Sequence, residues 1–510
     1  MWKIDEAIVA GAHHLCNNFD SEHDDVPWFE VRVVPKTCSY LYHYDIFDQT
    51  HAPGRALDAI MTAETLTSFN AEPKVITKYK KSLKRSLGKD GFLGSINAKG
   101  EREVYFHNFR ETLLAYNALY RYRGDEDAYQ WGTNFVNVIS YLENKRGFWD
   151  KSNLQDYRLR NGAPLFLESE DPTNAAGRLI YALIQWGETV KDESVLQLAS
   201  RFAEYALHHC FDDNGNLTHR VGAHVHSITS TYSGICEWLL KCRQLDKVKV
   251  QFVEKIFQNT ILPLSSFSGW TKELRDRPGM GGEINSTGDI IQALICLHML
   301  TNNDNYLAIA ERMIRGHLLP SQVFPEQLPA DYIIEPPSTN KKAEYIKERI
   351  RGGFGFPYPE ERAPLHYDNQ YCRITTLDIT GGAVQALCKI KNYSSVLYNG
   401  TIYLNFLLPA CTTEFDLQQN SLNKFTLICH SIVSMRIPSC PFYTVNGMRF
   451  DYKNRHKFLP GKYEIIFEFA EQSINETLFG KEYKTYFVGE QVTKMFPEAT
   501  YSDMFDKFSK

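Results

Sequence analysis

The chain has 510 residues, of which 43% are hydrophobic and 13% aromatic, so it can bury a large core and is not a disordered protein. Lysine and arginine number 56 against 61 acidic residues, and no strongly basic field is available to hold nucleic acid. We interpret the one basic run, 78–85, as the solvated face of a helix. The length allows two or three domains, or one large helical ring with a companion domain.

The most apolar helical stretch, Ile290 to Leu300, is about half as long as a bilayer crossing requires, which excludes a membrane protein. The first residues lack the basic start, apolar core and small-residue cleavage site of a secretory signal. The 11 cysteines are scattered and never spaced as CxxC, which is typical of free thiols in a reducing compartment. We therefore expect a soluble cytoplasmic protein.

Six segments share a helical apolar period, are apolar over more than one stripe and carry small residues in their first turns. They are 54–67, 107–121, 174–188, 226–241, 285–300 and 374–389. Such helices must be covered nearly all round. More polar amphipathic segments alternate with them, at 71–86, 126–143, 191–209, 246–260 and 303–316. The alternation predicts an (α/α)6 toroid, with an irregular α-bundle or an open solenoid as the alternative.

The interval between the fifth and sixth inner segments carries an insertion at 320–370 that is rich in proline, glycine and aromatic residues. Long loops of this kind usually serve function, so we expect the insertion to fold over the mouth of the ring. From about residue 395 the apolar period becomes alternating. Strands are predicted at 401–408, 424–435, 442–450 and 462–470. The sequence thus predicts a mainly α toroid over 1–394, then a β-sandwich domain over 395–510 that ends in a polar tail.

The N-terminal ends of inner helices converge on one mouth of such a ring. Their dipoles and free N–H groups favour anionic ligands or developing negative charge there. Every predicted end offers an ionisable or hydrogen-bonding side chain. These side chains belong to His51, Arg55, His107, Arg110, Asp171, Asn174, Arg178, His224, His226, Ser227, Glu283, Asn285, Cys372, Arg373 and Asp378.

Four of these residues are the candidate catalytic set. Glu283 lies in a glycine-rich turn, GMGGEINSTGD, where a carboxyl can act as acid, base or nucleophile, or else only cap the helix. His224 and His226 precede a helix and can transfer protons or bind a sugar; the alternative is one cap and one packed wall residue. Their spacing brings no further metal ligand, so we expect no metal. Asp171 is either catalytic or an N-cap.

Arginines occur within one turn of four predicted helix starts. If several face the mouth, they suit a carboxylate or sulfate group on the ligand; otherwise they form structural ion pairs. The predicted substrate-binding set is Arg55, His107, Arg110, Arg178, Asn285, Tyr367, Asp368 and Arg373.

Four segments in this order resemble motifs of the family-127 glycoside hydrolases, the β-L-arabinofuranosidase group. They are 283–319, beginning EINSTGDIIQAL, 366–388, HYDNQYCRITTLDITGGAVQALC, 401–409, TIYLNFLLP, and 435–447, MRIPSCPFYTVNG. The resemblance covers about 280–470, with a looser fit before it. It implies an (α/α)6 barrel followed by a β-sandwich, and carbohydrate-active chemistry.

The chain departs from that family at the metal site. The family holds zinc with one glutamate and three cysteines, one of which is its proposed nucleophile. Glu283 matches the glutamate, but Asn285 stands where the first cysteine belongs, and Cys372 with Arg373 replaces an adjacent cysteine pair. Since one thiolate and one carboxylate are too few zinc ligands, we expect a metal-free relative with altered chemistry.

The leading hypothesis is a glycoside hydrolase acting on a small, acidic oligosaccharide. Glu283 is its general acid or base, with Asp171 or Asp368 as the partner carboxylate and His224 and His226 orienting the sugar. The runner-up is a lyase or epimerase in which a histidine such as His226, or a tyrosine, removes the C5 proton of a uronic acid.

A third hypothesis, from another class, is a non-catalytic sugar-binding protein, which the missing zinc cysteines favour. In each case we expect an oligosaccharide ligand, no cofactor, and neither nucleic acid nor a membrane as partner; a homodimer is left open.

Overall fold

The structure is a computed structural model. It describes residues 3–34, 40–44, 50–97, 99–161, 165–167, 170–241, 246–277, 282–328, 346–357, 363–364, 371–437 and 440–497. Its helices, in chain order, are α1 Ile4–Asn17, α2 Ala52–Leu66, α3 Pro73–Ser86, α4 Phe109–Arg123, α5 Glu126–Leu142, α6 Lys151–Asn161, α7 Leu179–Val190, α8 Glu193–Cys210, α9 Val225–Lys241, α10 Lys247–Ile256, α11 Ile284–Thr301, α12 Asn305–Met313, α13 Ile346–Ile350 and α14 Leu377–Ser394.

Six of these helices form a closed inner ring in the order α2, α4, α7, α9, α11, α14, with α14 packed back against α2. They correspond to the six segments predicted from the apolar period, and the (α/α)6 toroid is confirmed. Outer helices α3, α5, α8, α10 and α12 match the predicted amphipathic segments. The sixth outer helix is α1, which packs against α14 and α2 and was not recognised as part of the ring.

The small residues in the first turns let the inner helices approach closely. A Cβ added at Gly54 of α2 would lie 2.0 Å from the backbone oxygen of Glu111 in α4. One added at Gly382 of α14 would lie 2.0 Å from Oδ1 of Asn285 in α11. At Gly54 the clash is with backbone, so a side chain there would push the helices apart, whereas at Gly382 it would displace the side chains of Asn285 and Arg55.

The strands of the helical region are β1 Phe19–Asp20, β2 Val26–Pro27, β3 Glu30–Val33, β4 Tyr40–Tyr42, β5 Ser95–Ile96, β6 Arg102–Tyr105, β7 Leu165–Leu167, β8 Ala363–Pro364 and β9 Tyr371–Thr376. They form small sheets ordered β1-β2, β5-β6-β7 and β4-β3-β9-β8. The last of these sheets fixes the entry to α14, since Leu377 donates its backbone N–H to the oxygen of Phe29 at 2.8 Å.

The strands after the toroid are β10 Ser395–Tyr398, β11 Thr401–Leu404, β12 Ala410–Cys411, β13 Phe415–Gln419, β14 Lys424–Cys429, β15 Val433–Met435, β16 Phe442–Val445, β17 Met448–Asp451, β18 Lys457–Phe458, β19 Gly461–Phe467, β20 Glu471–Leu478, β21 Lys481–Val488 and β22 Gln491–Phe496. A four-stranded sheet (β10-β11-β15-β18) and a six-stranded sheet (β12-β13-β14-β19-β16-β17) enclose a common apolar core. Alternate residues such as Phe425 and Leu427 face that core. The β-sandwich is confirmed.

The end of the chain differs from the predicted polar tail. Strands β20, β21 and β22 form a third sheet, and their apolar face packs on Trp270 of the toroid. Exposed polar residues alternate with buried ones along β21, which lowered its apparent hydrophobicity in the sequence. Residues 498–510 lie outside the described chain.

Much of the predicted mouth insertion, 329–345, 358–362 and 365–370, also lies outside the described residues. Its described part returns to the ring, where Pro357 accepts a hydrogen bond from the N–H of Gly282 at 2.9 Å. Coverage of the mouth stays a prediction.

Within the described chain, every helix is either too short or too polar to cross a lipid bilayer. The cysteines that the structure describes are free thiols, as expected from their spacing.

Candidate active site

All six inner helices send polar side chains from their N-terminal ends into one cluster. At its base lies Glu111 of α4, which is fully buried. Its Oε1 accepts hydrogen bonds from Nη2 of Arg55 in α2 at 2.7 Å and from Nη2 of Arg178, just before α7, at 2.8 Å. Burial alone would raise the pKa of Glu111, but the arginines, Arg178 foremost, outweigh it and hold that pKa well below its usual value. Glu111 is therefore an ionised hub that joins three helices.

His226 of α9 lies above this hub. Its Nδ1 accepts a hydrogen bond from Nη1 of Arg178 at 3.1 Å, so Nε2 carries the proton and faces Oδ2 of Asp289 at 3.3 Å. Arg55 and Arg110 approach the same ring at 3.4 Å. Burial, reinforced by the three arginines, lowers the pKa of His226 well below its usual value, so the imidazole is neutral.

Glu283 precedes the first turn of α11 and lies beside His226, with 3.6 Å between its Oε1 and Nδ1 of the imidazole. Its Oε2 accepts a hydrogen bond from the hydroxyl of Ser286 at 3.1 Å. Burial raises the pKa of Glu283 well above the usual value, and the nearby carboxyls of Glu273 and Asp378 raise it further. The protonated form of Glu283 is therefore favoured relative to that of an exposed glutamate.

Asp378, in the first turn of α14, is the opposite case. Its Oδ1 lies 2.8 Å from Nε2 of His51 and 3.2 Å from Nε of Arg55, and its Oδ2 accepts a hydrogen bond from Asn285 at 3.0 Å. Burial opposes ionisation, but Arg55 and His51 outweigh it and depress the pKa of Asp378. Its side chain is 13% exposed, more than that of Glu283 at 5%, so this carboxylate is the more accessible of the two.

Two further histidines line the outer part of the cluster. Nδ1 of His107 lies 2.7 Å from Oδ1 of Asn174, and Nδ1 of His224 lies 2.8 Å from the hydroxyl of Ser227. Their rings face each other with centroids 5.7 Å apart. Burial, with Arg178 next in effect, lowers the pKa of His224 to about 3 and that of His107 well below its usual value. Both are neutral, half-buried imidazoles.

The structure brings eight of the twelve predicted site residues into or beside this cluster and gives Asp171 another position. Oδ1 of Asp171 accepts from the N–H of Thr173 at 2.9 Å, and Oδ2 accepts from the N–H of Gly222 at 3.0 Å. Asp171 thus ties the start of α7 to the loop before His224, the capping alternative. Tyr367 and Asp368 lie outside the described residues, as does the side chain of Arg373.

Two residues of the cluster were missed in the sequence, Glu111 and Asp289. Glu111 directly follows Arg110 in the part of α4 that is buried all round, and Asp289 follows the small-residue turn of α11. A charged residue on an all-buried helix was the available signal, because such a charge must find a partner.

The described residues do not fit the zinc that the family resemblance implies. Asn285 has no thiolate, and its amide N–H donates a hydrogen bond to Asp378. Ligand atoms of His224, His226 and Glu283 lie within 4.8 Å of one another. However, three guanidinium groups surround His226, and their charge opposes a divalent cation at this point.

No protein-family model matches the sequence, and no curated protein matches it either. Among solved structures, a family-127 β-L-arabinofuranosidase from Geobacillus stearothermophilus T6 is similar over 87% of this chain and 77% of its own, at 13% identity and a TM-score of 0.56. A second family-127 β-arabinofuranosidase covers 96% of this chain and 78% of its own, at 13% identity and a TM-score of 0.58.

A sugar epimerase from a ruminal bacterium is similar over 77% of this chain and 99% of its own, at 13% identity and a TM-score of 0.51. Since one fold serves several chemistries, these similarities show the fold. The chain has the (α/α)6 barrel architecture of the family-127 structures, as the four sequence motifs implied.

Proposed function

We propose that the protein is a carbohydrate-active enzyme that hydrolyses a glycosidic bond in a small, acidic oligosaccharide. The observation that carries this proposal is that the pKa values of two carboxyls in one cluster are shifted in opposite directions. The pKa of Glu283 is raised by burial, whereas Arg55 and His51 overcome burial to depress that of Asp378. Two carboxyls whose pKa values differ in this way can supply the acid and the base or nucleophile of glycoside hydrolysis.

In this mechanism Glu283 donates its proton to the glycosidic oxygen as the bond to the leaving sugar breaks. Asp378, held as an anion by Arg55 and Asn285, either activates the attacking water or attacks the sugar carbon itself. His226 lies next to Glu283, but its lowered pKa makes it a weak base that does not take the proton from that carboxyl. Asp378 thereby takes the role that Asp171 and Asp368 had in the sequence-based hypothesis.

The charge of the cluster supports an acidic substrate. Three arginines, Arg55, Arg110 and Arg178, lie within it. Arg110 is the least committed arginine, with 3.5 Å to Asp289 and 3.8 Å to Glu111. A guanidinium held this loosely is available to pair with a uronate carboxylate at the mouth.

The test is a product analysis on a panel of neutral and uronic-acid oligosaccharides, with and without chelator. We expect each cleavage to add one water, to be unaffected by chelator and to prefer uronic acids. Glu283→Gln should lower turnover ~100-fold or more, the lower end for loss of a general acid. The control, Glu188→Gln, makes the same change at an exposed pair with Lys241 and should leave turnover unchanged.

A lyase or epimerase is the second candidate, because His107 and His224 are neutral bases at the outer part of the cluster. A lyase would form an unsaturated uronate that absorbs in the ultraviolet, with no added water. An epimerase would incorporate deuterium from heavy water without cleavage. Binding of an oligosaccharide without any turnover would instead favour the sugar-binding protein.

A further inference from the structure

A second polar cluster lies outside the candidate active site, in the segment that links α1 to the ring. Asp20, His23 and His43 place ligand atoms within 4.8 Å of one another. Oδ2 of Asp20 lies 2.7 Å from Nδ1 of His23 and 3.1 Å from Nε2 of His43. We propose that these three side chains form a binding site for Zn²⁺ that stabilises the N-terminal segment.

Each ligand is held by a separate feature of the local fold. Asp20 ends strand β1 and is nearly buried, and its Oδ1 accepts the N–H of Glu22 at 3.0 Å, which leaves Oδ2 to point at the histidines. The short helical turn Ser21–His23 brings His23 back over the carboxylate. The ring of His43 stacks on Trp28 with centroids 3.8 Å apart and an angle of 24°. The three groups are therefore preorganised before any ion binds.

The donor set suits zinc. Imidazole nitrogen and carboxylate oxygen bind Zn²⁺ at about 2.0–2.2 Å, and three protein ligands leave a fourth position for water. The side chain of His23 is 61% exposed and gives an ion a path from solvent.

The charges around this cluster differ from those of the active site. Arg349 lies near Asp20, but its guanidinium donates to the backbone oxygens of Asn17 at 2.8 Å and Phe19 at 3.2 Å. Lys78 pairs with Asp25 at 2.8 Å, and Lys81 pairs with Asp24. These cations are thus engaged with oxygen atoms, whereas the arginines around His226 point at the imidazole itself.

The position of the cluster gives the ion a structural role. Trp28 donates its backbone N–H to Asn18 at the end of α1, and the next residue, Phe29, bonds Leu377 at the start of α14. An ion that joins His43 to Asp20 would fasten the strands β1–β4 to this junction. Because it binds the folded chain, Zn²⁺ should also raise the melting temperature.

The experiment titrates chelator-treated full-length protein with Zn²⁺ by calorimetry and measures melting temperature in parallel. We expect binding at the ratio of one ion per chain and a higher melting temperature. His23→Ala, a change at an exposed side chain, should weaken binding at least ~10-fold and abolish the thermal shift. His219→Ala, at another exposed histidine, is the matched control and should bind as the wild type does.

Two results would overturn the proposal. One is Zn²⁺ binding that His23→Ala leaves intact but Glu283→Gln removes, which would move the site to the active-site cluster. The other is no heat of binding and no thermal shift in the wild-type protein. Because the readouts are affinity and stability, failure of the proposed hydrolase activity would not affect this test.

Discussion

The side-chain amide of Asn285 donates a hydrogen bond to Oδ2 of Asp378 at 3.0 Å, which links the inner helices α11 and α14 below the mouth. Asn285 stands where the family resemblance calls for a metal-binding cysteine. As a donor it stabilises the charged form of Asp378, so the position that lost a thiolate now supports a carboxylate. This arrangement is consistent with the proposed acid–base chemistry between Glu283 and Asp378.

Replacing Asp378 tests that role. We expect Asp378→Asn to lower kcat ~100-fold or more on the substrate found in the panel, because the anion is lost while the shape is kept. The measurement is steady-state kinetics, with folding checked by circular dichroism. An unchanged kcat would exclude Asp378 as base or nucleophile.

Replacing Glu111, the hub of the cluster, should cause a large loss of stability. Glu111→Gln should lower the free energy of unfolding by ~3–5 kcal/mol, because it leaves buried Arg55 and Arg178 without their shared anion. Urea unfolding measures this. Glu188→Gln, at an exposed pair with Lys241, should change the value by less than ~1 kcal/mol. Equal losses of unfolding free energy in the two variants would contradict the role of Glu111 as the anion that joins Arg55 and Arg178.

The close crossing of α14 and α11 makes a steric prediction. Gly382→Ala would place a methyl group 2.0 Å from Oδ1 of Asn285 and 2.8 Å from Nη1 of Arg55. We expect a loss of ~1–3 kcal/mol in unfolding free energy and a lower kcat, since both neighbours hold Asp378. Asn392→Ala, at an exposed position of the same helix, is the control for helix propensity and should affect neither quantity adversely. A Gly382→Ala protein with wild-type stability and kcat would show that Asn285 and Arg55 can move aside without loss of the contacts to Asp378.

Stability should depend on pH through His14. Burial of this side chain in α1 lowers its pKa from 6.5 to about 3. The unfolded chain therefore binds a proton between these values that the folded chain does not. Stability attributable to His14 is complete above pH 6.5 and falls by about 1.4 kcal/mol per unit as pH decreases below it.

His14→Gln should remove the part of the pH dependence of the unfolding free energy that is due to His14. The comparison is the unfolding free energy of both proteins at several pH values from about 7 to about 5. Parallel curves would mean that His14 gains its proton without unfolding.

The ring could be predicted because its inner helices differ in composition from its outer ones. The apolar period and the small first-turn residues such as Gly54 located all six inner helices. Helix α1 was missed because a terminal helix shows no alternation until its partners, α14 and α2, are known. Strand β21 was missed because only one of its faces is apolar and it packs on Trp270, more than 200 residues earlier in the chain.

Part of the candidate site could be predicted from the positions of the helix ends. Helix ends in a closed ring must converge, and Glu283, His226, Arg55, Arg110 and Arg178 do lie together in the described chain, while their functional roles stay predictions. Their pairing could not be read from the sequence, since the partner of Arg55 is Glu111, 56 residues away. Asp171 was ambiguous between catalysis and capping, and its hydrogen bonds to Thr173 and Gly222 appear only in the folded chain.

The proposed mechanism requires Glu283 to hold its proton near neutral pH. The most direct measurement is a pH titration of ¹³C-labelled glutamate carboxyls by NMR, in the wild-type protein and in Glu283→Gln. We expect one carboxyl that titrates well above the usual glutamate pKa and whose signal is absent from the variant. A Glu283 signal that titrates at or below the usual value would contradict its role as the general acid.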